Sequence, residues 1–268
     1  MAKHVAIISG GAGDIGRAIA LELARYGADI AVGDLEIEGE KIDALRLAIE
    51  LLGRRIRFDI VDVTNPTAVE KWLLLVEQSL GVPDWIIPNA AVAERADLES
   101  LTADVWKRCL DVTLNGAYYL AAAGANRLLQ HKMPGRIVFI GSWAAHAPHT
   151  NVPAYSVAKA GVRMLVRVMA LHYARHGILV NEVAPGYVDA GLSKVGFDKD
   201  PRVRQRCEAQ VPVGQLMSAE DVAFHVAHLC DDRNRFMTGS TLLADGGLSL
   251  LARMGATNDN RRTDQDLS

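Results

Sequence analysis

Seven short apolar segments alternate with longer amphipathic segments along most of this chain. The apolar segments lie at residues 4–9, 29–34, 55–60, 84–89, 136–141, 178–183 and 241–245. Their nearly continuous apolar character is typical of strands that are covered on both faces of a parallel sheet. Strands that alternate with helices connect through right-handed crossovers. The pattern therefore predicts an α/β fold, with a doubly wound parallel sheet of seven strands and helices on both faces.

Helical signals occupy the stretches between these segments. Residues 15–27 carry an apolar stripe and end at a glycine, a residue type common just past a helix end. Residues 66–81 begin with a proline and end with a glycine, which is the usual order at helix termini. The longest helices are predicted at 102–130 and 153–176.

Composition excludes several classes of protein. The 268 residues carry a net charge of -3, which gives no reason to expect nucleic acid or an anionic membrane as a partner. No apolar run reaches transmembrane length, and the first apolar run is too short for a secretory signal. The three cysteines are far apart and odd in number, so neither a disulfide framework nor a paired-cysteine metal site is indicated. A cytoplasmic location is the expectation.

A glycine-rich loop, "SGGAGDIG" at residues 9–16, follows the first predicted strand and opens the first predicted helix. It contains Gly11, Gly13 and Gly16 in the spacing GxGxxG, and Gly10 and Ile15 belong to the same loop. Glycine lets the backbone turn sharply and lets a pyrophosphate approach the helix N-terminus, where free N–H groups favour anions. This position predicts a dinucleotide-binding Rossmann fold; the alternative is a glycine-rich turn that holds no ligand.

Asp34 ends the second predicted strand, and Leu35 follows it. An acidic residue at about this distance from the glycine loop accepts hydrogen bonds from the adenosine ribose hydroxyls. The same carboxylate repels a 2′-phosphate, and no Lys or Arg precedes Gly16 in the loop. The sequence therefore predicts NAD rather than NADP, although an Asp at a strand end can also cap a helix.

Domain boundaries follow from the same patterns. No interior linker or repeat divides the chain, so a single Rossmann domain is predicted over residues 1–252. Residues 193–214 are charged and punctuated by proline and glycine, and we predict a mobile, helix-containing insertion there that acts as a substrate lid. Residues 253–268 are polar and are predicted to be a disordered tail.

Tyr155 and Lys159 lie one helical turn apart in "PAYSVAK" and would share a face of the helix at 153–176. A tyrosine and a lysine at this spacing occur often by chance, so the pair alone does not separate a surface face from a proton-transfer site. Ordered motifs elsewhere in the chain decide between them.

With the glycine loop, five further motifs resemble the short-chain dehydrogenase/reductase family over residues 3 to about 250. The motifs are "DVT" at 62–64, "PNAA" at 88–91, "IGS" ending at Ser142, "PGYV" at 185–188 and "DGG" at 245–247. Ser142 precedes Tyr155 by 13 residues, which is the family's spacing between its catalytic serine and tyrosine.

The resemblance implies roles for these residues. Tyr155 would act as general base or acid, and Ser142 would hydrogen-bond the substrate oxygen. Lys159 would contact the nicotinamide ribose, and its charge together with that of the oxidised nicotinamide would lower the phenol pKa. The implied cofactor contacts are Gly10, Gly11, Gly13, Asp14, Ile15, Gly16, Asp34, Leu35, Asp62, Val63, Asn89, Ala90, Ala91, Tyr155, Lys159, Pro185, Gly186 and Val188.

Three positions depart from the family pattern. Asp14 replaces the middle glycine, and we expect it to point away from the pyrophosphate and to cap the helix. Thr113 replaces the family's catalytic asparagine. In the family, that position holds an ordered water of a proton relay, and a backbone carbonyl could hold the water here. Asn115 would lie about 200° around the helix and could not substitute. Ala190 replaces a threonine that contacts the carboxamide.

Substrate contacts are predicted on loops at the carboxyl ends of the strands. The candidates are Glu94, Trp143, His146, His149 and Tyr187, and Arg95 lies beside Glu94 on the same loop. Their polar character suggests a polyhydroxylated or carboxylated substrate, although they could equally be solvated loop residues. Two histidine pairs lie at helical spacing, His172 with His176 and His225 with His228. Neither pair has a nearby Cys or an HExxH motif, so no metal is predicted.

The leading interpretation is an NAD-dependent dehydrogenase that acts on a secondary alcohol, such as a sugar, polyol or hydroxy acid. Alternatives are a carbonyl reductase working in the opposite direction and a nucleotide-sensing protein without turnover. An extended nucleotide-sugar epimerase is disfavoured, because only a short segment follows the sixth strand. By family analogy alone, a homotetramer formed through the two longest helices is expected.

Overall fold

A seven-stranded parallel sheet forms the centre of the protein, in a computed structural model that describes residues 4–251. The strands are β1 (His4–Ser9), β2 (Ala28–Asp34), β3 (Ile56–Ile60), β4 (Trp85–Ile87), β5 (Gly135–Ile140), β6 (Ile178–Pro185) and β7 (Thr241–Ala244). Their order is β3-β2-β1-β4-β5-β6-β7, and every neighbouring pair is parallel. The order reverses beside β1, so the doubly wound α/β prediction is confirmed. The predicted tail at 253–268 lies outside the described residues.

Ten α-helices connect and follow the strands within the described residues. They are α1 (Asp14–Arg25), α2 (Glu40–Leu51), α3 (Pro66–Ser79), α4 (Ala103–Leu110), α5 (Ala117–His131), α6 (Pro153–Tyr173), α7 (Gly191–Lys199), α8 (Pro201–Gln210), α9 (Ala219–Cys230) and α10 (Leu248–Leu251). Our sequence analysis predicted no helix at α2, whose buried positions are only Ile42, Leu45 and Ile49 on an otherwise polar surface.

Two apolar cores cover the two faces of the sheet. On one face, α1 and α9 pack against the strands through residues such as Ile19, Leu23 and Val226. On the other face, α3, α5 and α6 contribute residues such as Trp72 and Leu120. The layers hold the carboxyl ends of the strands at one edge, where loops from both halves of the fold meet.

The predicted helix at 102–130 is not uniformly α-helical. A π-helical turn spans Asp111–Gly116 between α4 and α5. Thr113 and Gly116 are its buried residues, and a Cβ on Gly116 would lie 2.7 Å from a methyl carbon of Val63. The close approach of the 61–64 loop explains the absence of a side chain there, and π turns are frequent at functional sites.

The segment predicted as an insertion carries two helices. α7 and the Asp200-capped α8 cover most of residues 193–214, and Asp200 accepts a hydrogen bond from the Arg202 amide at 3.0 Å. Arg204 on α8 pairs with Asp189 after β6 at 2.6 Å, which ties the insertion to the sheet edge. Its action as a lid stays a prediction. Among residues 4–251, no helix combines the length and apolar character that crossing a membrane requires.

Candidate active site

A cleft of about 1170 Å³ runs along the carboxyl ends of the strands. It is the crevice at which doubly wound sheets bind ligands, beside the reversal of strand order. The predicted site residues that line it are Gly10, Gly13, Asp14, Ile15, Gly16, Asp34, Leu35, Asp62, Val63, Asn89, Ala90, Ala91, Ser142, Trp143, His149, Tyr155, Lys159, Pro185, Gly186, Tyr187 and Val188. Gly11, Glu94, Thr113 and His146 lie outside this lining.

The glycine loop has the shape that a pyrophosphate site requires. Gly10 has a φ of +63°, and a Cβ there would lie 2.8 Å from the Ala90 Cα. A Cβ on Gly16 would collide with the Gly10 carbonyl. Asn89 holds the loop by donating to the carbonyls of Ser9 and Gly10 at 3.0 and 2.8 Å. The backbone is therefore open at the start of α1, where N–H groups and the helix dipole suit a diphosphate.

Asp14 does not cap α1, so that prediction was wrong. Gly13 occupies the N-cap, which places Asp14 one residue inside the helix, and no side-chain capping bond forms. The Asp14 carboxylate instead accepts a hydrogen bond from the Gly191 amide at the start of α7 (3.0 Å) and pairs with Arg17 (2.6 Å). The bond from Gly191 is the main reason that the Asp14 pKa lies below its usual value. Asp14 thus joins the glycine loop to the insertion.

Asp34 stands at the end of β2, where the adenosine ribose would lie. Its carboxylate accepts hydrogen bonds from the amides of Ala12 (3.0 Å) and Leu35 (2.8 Å). A second cavity beside it is lined by two basic side chains, those of Arg17 and Lys41, which were not considered from the sequence. The same cavity is lined by the carboxylates of Asp34, Glu36, Glu38 and Glu40. Negative charge therefore predominates at this end of the cleft.

Ser142, Tyr155 and Lys159 meet at the centre of the cleft. Ser142 follows β5 and accepts a hydrogen bond from the Ala144 amide at 3.1 Å, and its side chain also hydrogen-bonds the Tyr155 phenol. The Lys159 ammonium lies 5.4 Å from the centre of the Tyr155 ring and donates to the Ile140 carbonyl at 2.6 Å. Lys159 is 3% exposed, so its charge faces little bulk water.

Burial shifts the ionisation of both groups. It raises the pKa of Tyr155 to about 12, against the opposing effect of the Ser142 hydrogen bond. It lowers the pKa of Lys159 to about 8, against the opposing charges of Glu182 and Cys109. In the chain alone, the desolvation of a phenolate therefore outweighs the nearby donors. The predicted lowering of the phenol pKa includes the charge of a bound oxidised nicotinamide, and it stays a prediction.

Thr113 lies behind the cleft wall. It is 1% exposed, and its hydroxyl accepts from the Val92 amide (3.2 Å) and donates to the Val92 carbonyl (3.3 Å). The side chain thus fastens the loop after β4 to the π-helical turn. Asn115 donates to Asp111 at 3.0 Å instead, and it does not line the cleft among the described residues.

Comparison with known proteins agrees with this arrangement. The family model described as enoyl-(acyl carrier protein) reductase matches residues 10–249. A cis-4-hydroxycyclohexanecarboxylate dehydrogenase of Sinomonas cyclohexanicum is 36% identical over 92% of this chain and 96% of its own length. An L-rhamnose 1-dehydrogenase (NAD(P)(+)) of a Sphingomonas species is 30% identical over 90% of this chain and 94% of its own length.

Solved structures show the same fold. A short-chain type dehydrogenase/reductase from Mycobacterium marinum superposes with a TM-score of 0.85 at 26% identity, covering 91% of this chain and 95% of that chain. A protein from Agrobacterium tumefaciens with bound NADP superposes with a TM-score of 0.83 at 26% identity, covering 91% of this chain and 96% of that chain.

The chain belongs to the short-chain dehydrogenase/reductase family. It is an oxidoreductase that binds a nicotinamide cofactor and acts on CH–OH groups. The glycine loop and the residues around Asp34, as described above, fit such a cofactor.

This dehydrogenase/reductase has a buried ion pair behind Ser142 that was not predicted from the sequence. Arg163 on α6 donates to the Glu182 carboxylate at 2.9 Å and to the Ser142 carbonyl at 3.2 Å. Thr241 donates to the same carboxylate at 2.6 Å. Glu182 lies inside the apolar run at 178–183 and is fully buried. Because a buried charge requires a partner, its presence in that run could have predicted a buried ion pair.

The end of the cleft around Trp143 brings three predicted substrate-contact residues together with residues that were not predicted. Trp143 packs edge-on against His149 (4.2 Å between ring centres) and Tyr187 (5.2 Å), and Tyr187 hydrogen-bonds Gln210 at 3.4 Å. The lining residues there that were not predicted include Val152, Phe197, Val203, Arg206, Cys207 and Gln210. Several of these come from α7 and α8, where no motif marked them.

Proposed function

We propose that this protein is an NAD-dependent dehydrogenase that transfers hydride between a secondary alcohol and the nicotinamide, with Tyr155 as the general base or acid. The placement of the Tyr155 phenol beside Ser142, with the Lys159 ammonium 5.4 Å from the centre of the Tyr155 ring, carries this proposal. A hydroxy acid and a sugar are named as substrates of the two similar dehydrogenases, which supports a sugar, polyol or hydroxy acid here.

In the oxidative direction, the substrate hydroxyl lies against Tyr155 and Ser142. Ser142 fixes the oxygen by a hydrogen bond, and the Tyr155 phenolate accepts the hydroxyl proton as the C–H bond breaks. An oxidised nicotinamide held in the cleft would supply the hydride acceptor and a positive charge. In the reductive direction, the same phenol returns the proton to the carbonyl oxygen, so a carbonyl reductase would use the same residues.

Lys159 has two functions in this proposal. Its charge lies beside the phenol in a poorly solvated site, where an opposite charge favours the phenolate. Its ammonium would also hold the ribose hydroxyls of the cofactor. Glu182, though paired with Arg163, helps Lys159 to keep its proton, because its charge raises the Lys159 pKa against burial.

Asp34 should make NAD the preferred cofactor. Asp34→Ala removes a charged acceptor for the ribose hydroxyls, which should lower kcat/KM for NAD by about 10–100-fold and change the value for NADP much less. Steady-state kinetics with both cofactors checks this. Glu36→Gln is the matched control, because Glu36 lines the same second cavity without ending the strand. A wild-type kcat/KM with NADP equal to or above that with NAD would refute the assignment.

Thr113→Ala should leave most of the activity, because the side chain holds Val92 and a backbone carbonyl can serve the relay water. We expect turnover to stay within about tenfold of wild type, and the free energy of unfolding to fall by about 1–2 kcal/mol as the two bonds to Val92 are lost. Thr113→Ser keeps the hydroxyl and should restore the stability measured by denaturant unfolding. A loss of several hundredfold in an intact Thr113→Ala protein would show that the hydroxyl takes part in the chemistry.

A substrate screen tests the proposed activity as a whole. Sugars, polyols and hydroxy acids are incubated with NAD or NADP, and formation of the reduced nicotinamide is followed by absorbance. Turnover that requires Tyr155 supports the proposal. Cofactor binding without turnover of any alcohol would instead favour a nucleotide-sensing protein.

Association of several copies is a further part of the proposal. α6 exposes Met164, Val168 and Leu171 along one side, at 56%, 58% and 87% of their surfaces. An apolar face of this kind supports contact with another copy. The homotetramer remains a family-based prediction.

A further inference from the structure

Two arginines in the outer cleft lack the acidic partners that neighbouring arginines have. Arg95 follows β4 and Arg206 lies on α8, and both line the cleft. Within residues 4–251, no carboxylate approaches either guanidinium to ion-pair distance. By contrast, Arg108 pairs with Glu94 at 3.1 Å and Arg202 pairs with Asp200 at 3.0 Å. The cleft therefore presents two guanidinium groups that form no ion pair with a described carboxylate, although Asp200 lies within electrostatic range of Arg206.

The charges of these guanidinium groups affect the pKa values of two residues of the cleft lining, Cys207 and Tyr187. Burial raises the pKa of the Cys207 thiol, and the charges of Arg206 and Arg95 oppose that shift. Burial likewise raises the pKa of Tyr187, and the charge of Arg95 opposes it. Arg95 and Arg206 thus line the same cleft and both lie within electrostatic range of Cys207, although they come from separate segments of the chain.

A continuous set of contacts links this part of the wall to the reacting centre. Trp143 directly follows Ser142 and packs against Tyr187, which hydrogen-bonds Gln210. Gln210 lies four residues after Arg206, on the same face of α8. A substrate whose hydroxyl contacts Ser142 can therefore extend along Trp143 and Tyr187 towards the arginines.

Charge is divided between the two ends of the cleft. The acidic residues in its lining are Asp14, Asp34, Asp62 and Asp111, and all belong to the glycine loop, the strand ends of the cofactor half or the π-helical turn. At the outer end, the lining combines the arginines with apolar side chains such as Val152, Phe197 and Val203. An anion attached to an apolar body matches this combination of side chains.

We propose that the substrate is a hydroxy acid, with a carboxylate bound by Arg206 and Arg95 and an apolar body between that carboxylate and the reacting hydroxyl. A guanidinium presents parallel donors that match a carboxylate, and charge-assisted bonds of this kind give orientation as well as affinity. This inference rests on the proposed alcohol oxidation. It narrows the substrate to one class and excludes neutral sugars and polyols.

Binding measurements with an unreactive pair of ligands test the charge requirement directly. Cyclohexanecarboxylate and cyclohexanecarboxamide have nearly the same shape, and each is titrated by calorimetry into the full-length protein saturated with NAD. The acid should bind about tenfold more tightly than the amide, and the difference should shrink as salt is added. In Arg206→Gln and Arg95→Gln proteins, the acid should lose affinity and the amide should not.

Arg202→Gln is the matched control, because Arg202 lies on the same helix, pairs with Asp200 and does not line the cleft. It should bind the acid as the wild type does. Equal affinity for acid and amide, no binding of the acid, or an acid affinity unchanged in Arg206→Gln and Arg95→Gln would overturn the inference. Tighter binding of cyclohexyl phosphate than of the carboxylate would also overturn it in favour of a phosphate ester.

Turnover separates the inference from the activity on which it rests. Linear and cyclic hydroxy acids are compared with their primary amides and with cyclohexanol. Oxidation of the acids with a KM about tenfold below that of the amides supports both proposals. If acids and neutral alcohols are oxidised equally well, the hydroxy-acid proposal is wrong and the alcohol dehydrogenase activity stands. If acids bind selectively but no alcohol is oxidised, the proposed dehydrogenase activity is wrong instead.

Discussion

Tyr155→Phe should lower the turnover of alcohol oxidation by about 10²–10⁴-fold, which is the usual contribution of a general acid or base. The substitution removes the proton acceptor and keeps the aromatic ring with its packing beside Lys159. Folding and cofactor binding should therefore survive. Turnover is measured with saturating cofactor, and cofactor affinity is measured separately by fluorescence titration.

Tyr173→Phe provides the matched control for this substitution. Tyr173 is a tyrosine at the end of the same helix, and it packs against the apolar core instead of the cleft. Its variant should keep wild-type turnover. Near-normal turnover in Tyr155→Phe would show that Tyr155 and Lys159 are ordinary residues of a helix face and not a proton-transfer site.

Lys159→Met should affect both catalysis and cofactor binding. Methionine preserves the apolar stem of a side chain that is almost fully buried, but it removes the charge beside the phenol and the donor to the ribose. Turnover should fall by at least about a hundredfold, and the Kd for the cofactor should rise. Residual oxidation should need a higher pH, because the phenolate then lacks its neighbouring cation.

Lys71→Met, a substitution of an exposed lysine on α3, controls for the general loss of one positive charge. It should leave both turnover and cofactor affinity unchanged. If Lys159→Met lowered turnover without weakening the cofactor, the proposed ribose contact would be wrong. If it weakened the cofactor alone, the electrostatic role towards Tyr155 would be wrong.

The fold was readable from the sequence because most strands are buried on both faces. β1 was predicted with its observed bounds, and the other strands differ by one or two residues at their ends. α2 was missed because only three of its side chains are buried, so its apolar stripe is narrow. The π-helical turn at Asp111–Gly116 was missed because it depends on the loop around Val63, which is distant in the sequence.

The central residues of the candidate site were also predictable, since Ser142, Tyr155 and Lys159 occur at a spacing that resembles a known family. Residues that depend on contacts between distant segments were not. The Arg163–Glu182 pair joins α6 to β6, and Asp14 reaches the start of α7. Periodicity describes a single element at a time, so it cannot identify a partner on another element.

The pH dependence of kcat for alcohol oxidation tests the role of Tyr155 most directly, because kcat reports ionisations in the complex with substrate. The phenol pKa is about 12 in the chain alone, and the base is the phenolate, so activity should increase as pH rises. With cofactor bound, the rise should have a midpoint well below 12; it should shift to higher pH in Lys159→Met and be absent from the residual activity of Tyr155→Phe. An unchanged rise in Tyr155→Phe would contradict proton transfer by Tyr155.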